Sequence, residues 1–172
     1  MNSSNNACSI TNDGSICRVG VFWDKQTGCK AHIRDCPPIA IDMPVRHGGT
    51  GKNPCPHEIL FSAVGSCFLG TFLVFLRQLR FKLIDLQISV AGSVEVSKDP
   101  GRYEITGIDV HVKVAVKGSE NKKDFVSDCI RMTKNHCPTT RALQGSVPIK
   151  ITSEIEMVSE LTFRKLNKQG DI

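Results

Sequence analysis

The chain has 172 residues, 40% hydrophobic and 23% charged, with 22 Lys and Arg against 17 Asp and Glu for a net charge of +5. This is ordinary globular composition, long enough for one sizeable core and short enough for one domain. The basic residues are scattered instead of gathered on one face, which argues against nucleic acid as a partner.

Met1 to Gly14 shows neither a basic region nor an apolar core, so the sequence predicts a disordered leader over 1–15, no secretory signal and a cytoplasmic protein. In that setting the eight cysteines are expected to be reduced thiols. They include no C-x-x-C pair, which disfavours a zinc site and a thioredoxin motif; neither metal nor cofactor is called for.

In chain order, Val19–Trp23 and Lys30–Arg34 read as a hairpin around Gln26-Thr27-Gly28, with Ile39–Ile41 as a third strand. Gly48-Gly49-Thr50-Gly51-Lys52 invites a phosphate-loop interpretation. That motif needs glycine where Arg46 stands and Ser or Thr where Asn53 stands, so it is rejected. Ile59 to Leu76 carries no charge over 18 residues, just enough to cross a membrane as a helix. Ser62, Gly65, Ser66, Gly70 and Thr71 interrupt it, and the amphipathic segments elsewhere need covering, so no membrane is expected. A helix apolar on all sides is one surrounded by protein, a second subunit included. Pro54 and Pro56 suit its first turn, and Arg77, Arg80 and Lys82 its end.

Leu86 to Val96 alternates with period two, Lys98-Asp99-Pro100-Gly101 turns, and Tyr103 to Val116 returns, with a phase slip at Gly107 that predicts a β-bulge. Phe125, Val126, Cys129 and Ile130 mark an amphipathic helix over Glu120–Lys134, stopped before Pro138, with a short helix beginning there. Val147 to Met157 alternates as a last strand before a polar tail at 159–172. The order gives an α+β fold as a single domain over 16–158.

Two cysteines invite chemistry. Cys67 lies in the third turn of the apolar helix, where a cysteine also serves as a small core hydrophobe. Cys137 lies where one helix ends and Pro138 opens another; unpaired amides at such a position lower a thiol pKa, although an ordinary capping residue fits there too. Cys67 is too deep in its helix to feel the dipole, so a thiolate there needs a cation. Lowering a thiol pKa from about 8.5 to about 6 raises its thiolate fraction roughly thirty-fold at neutral pH. Arg18, Arg34 and Arg46 precede the helix and could each fold back over it; spacing does not choose among them. His57 with Cys55 and His136 with Cys137 lack metal-ligand spacing.

Pro56-His57-Glu58-Ile59-Leu60-Phe61-Ser62-Ala63-Val64-Gly65-Ser66-Cys67 resembles the P-x-E-x-L-x-x-A-x-G-[SA]-C signature of the OsmC/Ohr family. Cys137-Pro138-Thr139-Thr140-Arg141-Ala142-Leu143 resembles that family's second-cysteine motif. The resemblance implies antiparallel sheets packed around a long central apolar helix in an intertwined homodimer. It also implies a peroxidase in which Cys67 attacks a hydroperoxide and forms a sulfenic acid that Cys137 resolves as a disulfide, with a dithiol reductant closing the cycle. Ile33-Arg34-Asp35 before Asp42-Met43-Pro44 looks like the family's arginine segment, so Arg34 is implied as the cation beside Cys67. Hydroperoxide-specific members carry glutamate directly after the signature proline. His57 stands there and Glu58 comes one place later, so Glu58 is expected to act through the helix cap or Arg34, and the chain resembles the broader OsmC-like group. The alternatives are a non-enzymatic redox-sensing protein and a small-ligand-binding protein whose cysteines only fill the core.

Overall fold

The structure is a computed structural model that describes residues 17–99 and 101–160; the expected leader and the tail from 161 onward lie outside them. These residues fall into two compact units that divide after Ile59.

The first unit is a three-stranded antiparallel sheet of β1 (Gly20–Trp23), β2 (Gly28–His32) and β3 (Ile39–Asp42), in that order. Asp24 shapes the first turn, its Oδ1 accepting from the Gln26 and Gly28 amides at 2.7 and 3.2 Å. Strand β2 stops two residues short of the expected Arg34. The Cys36 amide bonds to the Ile33 carbonyl at 3.1 Å, Arg34 takes a left-handed φ of 49°, and Pro37-Pro38 has no amide to give a ladder. Arg34 is therefore an exposed turn residue and not a strand residue.

Asp42, at the end of β3, organises the glycine-rich loop. Its Oδ1 accepts from Thr27 Oγ1 and the Met43 amide, both at 2.8 Å. Its Oδ2 accepts from the Thr50 amide at 2.7 Å, Thr50 Oγ1 at 2.5 Å and the Gly51 amide at 3.1 Å. Gly48 and Gly51, at φ 86° and 68°, supply left-handed turns that let the loop curl back. The glycine-rich segment that fails as a phosphate loop thus cradles a carboxylate of its own chain. The side-chain bonds from Thr50 and Thr27 lead in lowering the Asp42 pKa from 3.8 to about 2.

The second unit carries most of helix α1 (Pro56–Gln78), then β4 (Lys82–Val96), β5 (Tyr103–Lys117), a 3-10 turn, α2 (Lys123–His136), α3 (Pro138–Leu143) and β6 (Ile149–Val158). β4 and β5 form a long antiparallel hairpin. Ser93 pairs with Gly107 and Val94 with Ile105, leaving Thr106 as the extra residue of the expected bulge. The sheet is not wholly antiparallel: β6 joins β5 in parallel, in the order β4-β5-β6. Parallel neighbours need a long crossover, and α2 with α3 provides it.

The core is built on one stripe of α1, Val64, Phe68, Phe72 and Leu76, set against Ile108, Val110, Val112, Val114 and Val116 of β5 and Val126, Cys129 and Ile130 of α2. The stripe repeats every four residues, which is one helix face. Two glycines let α1 approach the sheet. A Cβ on Gly65 would stand 3.0 Å from Val90 Cγ2, and one on Gly92 would stand 1.9 Å from Phe61 Cζ. Away from this stripe α1 is open: Ala63, Ser66, Gly70 and Val74 are exposed, and only 22% of its most apolar window is buried. By length and composition alone, α1 could cross a membrane. The covering expected around an all-apolar helix is thus not supplied by these residues.

Gly92→Val should displace the Phe61 ring and cost about 1–3 kcal/mol, while Ala91→Val on the exposed side should stay within about 0.5 kcal/mol. Urea denaturation of the two variants checks this. Asp42→Asn should lower stability near neutral pH. Because the folded pKa lies below the unfolded one, the carboxylate's contribution is present above 3.8 and is lost as pH falls toward about 2, so the gap between wild type and variant should close across that window.

Candidate active site

The two cysteines singled out from the sequence meet. Cys67 is half-buried in the third turn of α1, and Cys137 is fully buried at the junction of α2 and α3. The fold brings them near enough that the Cys67 side chain is one of the groups lowering the Cys137 pKa, although they are 70 positions apart in the chain.

The junction at Cys137 is built by backbone geometry. Its amide bonds to the Thr133 carbonyl at 2.8 Å, ending α2, and its own carbonyl accepts from the Arg141 amide at 3.0 Å, starting α3. Pro138 takes the first position of α3, where its missing N–H costs nothing. Thr140 Oγ1 donates to the carbonyls of Lys134 at 2.9 Å and Cys137 at 3.0 Å, locking the two helices together. Thr139 Oγ1 lies 3.2 Å from the Cys137 sulfur.

These groups decide how Cys137 titrates. Burial is the largest single influence and pushes the thiol up. The Thr139 hydroxyl, the Thr140 amide, the Cys67 side chain and the Thr140 hydroxyl together outweigh it and hold the thiol below its ordinary value of 9.0. The Thr140 amide acts without closing a side-chain cap hydrogen bond. Cys129, deeper in α2, shows the contrast: burial, followed by the nearby Asp128 charge, raises its pKa, as befits a core filler.

On the Cys67 flank of α1, Thr71 Oγ1 donates to the Cys67 carbonyl at 3.0 Å. One turn further, the Phe75 ring meets His136 edge-on with centroids 5.5 Å apart. His136 is fixed by a 2.8 Å bond between Nδ1 and the Met132 carbonyl. Phe68 and Phe72 are fully buried in the core, so the aromatic surface on this flank is Phe75 with His136.

Arg34 and Glu58 belong to the other unit. Glu58 Oε2 accepts from the Cys55 amide at 2.6 Å, the return half of a capping box at the start of α1. The cap expected of Glu58 is therefore present. Of the remaining arginine candidates, Arg18 is exposed and Arg46 Nε donates to His47 Nε2 at 3.2 Å. Among the described residues no three His, Cys, Asp or Glu side chains gather to hold a metal. Sequence reasoning missed the hydroxyls of Thr139 and Thr140, although their place just after a cysteine that caps a helix was the available signal.

Residues 49–152, including both cysteines, match the sequence model of the OsmC-like protein family. The chain belongs to the OsmC family. Among curated relatives it is similar to the organic hydroperoxide resistance protein-like 1 of Staphylococcus epidermidis, at 26% identity over 131 residues, 74% of this chain and 89% of that one. It is also similar to YmaD of Bacillus subtilis, at 24% identity over 70% of this chain and 81% of that protein. Its fold is that of an OsmC-like protein from Mycoplasma pneumoniae, with a TM-score of 0.71 at 21% identity, covering 83% of this chain and 99% of the other. The organic hydroperoxide resistance protein OhrB of Bacillus subtilis superposes with a TM-score of 0.62 at 16% identity over 81% and 98% of the two chains.

Within this OsmC site, Thr139→Val should raise the pKa of Cys137, because a leading hydrogen-bonding group is lost while burial stays. Titration of the Cys137 Cβ resonance by NMR measures the shift; an unchanged or lowered value would show that the hydroxyl is not what holds the thiol down.

Proposed function

We propose that this protein is a thiol peroxidase for organic hydroperoxides, and that it also accepts hydrogen peroxide. The contact between Cys67 and a Cys137 whose titration is shifted downward carries this reading. The Cys67 thiolate attacks the distal oxygen of the hydroperoxide, the O–O bond breaks, and the departing alkoxide takes a proton to leave as an alcohol. Cys67 is now a sulfenic acid. The Cys137 sulfur attacks it, a disulfide forms, and the hydroxyl departs as water. An external dithiol returns the pair to thiols by exchange. Family membership and the resistance named for several relatives support the substrate class. The apolar surface of Phe75 suits an alkyl group.

In the same reading Arg34 holds Cys67 as thiolate and receives the peroxide oxygen, while Glu58 sets the start of the helix that carries Cys67. The working form is a cytoplasmic homodimer. Val21, Phe22 and Trp23 are 61%, 59% and 70% exposed on one short strand, and the open side of α1 adds Val74 at 48%; apolar surface of that kind calls for a partner.

The test is one equivalent of cumene hydroperoxide on reduced protein, with disulfides mapped by mass spectrometry in wild type, Cys67→Ser and Cys137→Ser. A rapid Cys67–Cys137 bond is expected in wild type, and a sulfenic acid trapped on Cys67 in Cys137→Ser. Arg34→Gln should slow the first step at least about tenfold by removing the cation proposed to receive the peroxide oxygen. If Cys67 oxidises no faster than the other cysteines, peroxidase chemistry is wrong for this protein and a binding role replaces it.

A further inference from the structure

A cavity of about 400 Å³ opens beside α3, within the volume range of small-molecule sites. Its lining includes Lys134, Gln144 and Ser146 together with Val147, Pro148 and Ile149, and none of the lining residues is acidic. Lys134 is half-buried, yet among the described residues its ammonium has no carboxylate or hydrogen-bond partner. The Gln144 amide and Ser146 hydroxyl likewise have no protein partner among those residues. Lys134 and the exposed Gln144 and Ser146 thus give the cavity lining three donor side chains, one of them cationic, that no described protein group takes up. The rest of the lining includes proline and β-branched aliphatic surface, which favours burying a short hydrocarbon.

We propose that this cavity binds a small carboxylate with a short alkyl body, its carboxylate held by Lys134, Gln144 and Ser146 and its chain laid on Val147, Pro148 and Ile149. The head would accept charge-assisted bonds from the ammonium and neutral ones from the amide and hydroxyl. Gly145, at φ 95° between Gln144 and Ser146, supplies a left-handed turn in the cavity lining. Thr140 also lines the cavity, so the site abuts the helix that begins at Cys137 without using either cysteine.

Sodium hexanoate is the probe and 1-hexanol its uncharged counterpart, each titrated into the full reduced protein and followed by amide NMR shifts. Hexanoate should move the Gln144, Gly145, Ser146 and Val147 resonances saturably, and hexanol should not. Lys134→Gln should weaken hexanoate binding at least about tenfold and Ser146→Ala by less, whereas Lys150→Gln, outside the cavity, should leave it unchanged. A wild-type spectrum outside the cavity shows that each variant is folded. Equal shifts with hexanol, binding undiminished in Lys134→Gln, or no shift with hexanoate would each overturn the assignment. Since no cysteine takes part, the result is independent of whether the protein reduces peroxides.

Discussion

The rotation of α1 about its own axis is the constraint on which the thiol site depends. Val64, Phe68, Phe72 and Leu76 form a stripe that the β5 valines and α2 fix in place. Cys67 precedes Phe68 by one residue, so it stands about 100° around the helix from that neighbour, at the flank of the stripe. There it is half-buried and reaches Cys137. Gly65 and Gly92 tighten the same seat, because a side chain on either would push the helix off the sheet or expel Phe61. Turning the helix by one position would either put the thiol into the core or replace it at the site by Phe68.

The second half of the site rests on a junction rather than on packing of a long element. Helix α3 runs only from Pro138 to Leu143, too short to persist alone, and is held by the two bonds that Thr140 Oγ1 makes to backbone carbonyls. A hydroxyl at that position both fixes Cys137 and tunes it. The first unit uses the same device with the signs reversed: amides and hydroxyls of a glycine-rich loop surround the Asp42 carboxylate. In both places an anionic or potentially anionic group is held by neutral donors, which stabilise charge without bringing a counter-charge into the site.

Much of this was legible in the sequence because periodicity records burial. The period-two runs of β4 and β5, the slip at Gly107 and the helical spacing of Phe125 to Ile130 all appear where they were expected. What failed depended on pairing across the chain. The alternation of Val147 to Met157 is the same for a parallel or an antiparallel neighbour, so only the crossover through α2 and α3 reveals that β6 runs parallel to β5. Arg34 looked like a strand residue by position, but the turn closed between Ile33 and Cys36 takes it out of the ladder. A helix apolar on all sides also hides which of its residues face its own sheet, so the burial of Phe68 and Phe72 appears only in the structure. Cys67 and Cys137 were legible as motifs, and their meeting across 70 positions came from no local rule.

That meeting bears on how a dithiol divides its labour. A downward shift at Cys137 makes its thiolate easier to form and, once it is in a disulfide, makes it a good leaving group. An incoming thiolate would then form its mixed disulfide with Cys67 and expel Cys137. Access points the same way, since Cys67 is half-buried and Cys137 has no exposed surface. In the proposed peroxidase cycle one sulfur would therefore meet both the oxidant and the reductant, and the other would remain inside as the partner that holds and releases it. The hydroxyls of Thr139 and Thr140 provide this asymmetry through hydrogen bonding to the buried sulfur, with no counter-charge among the groups that lower its pKa.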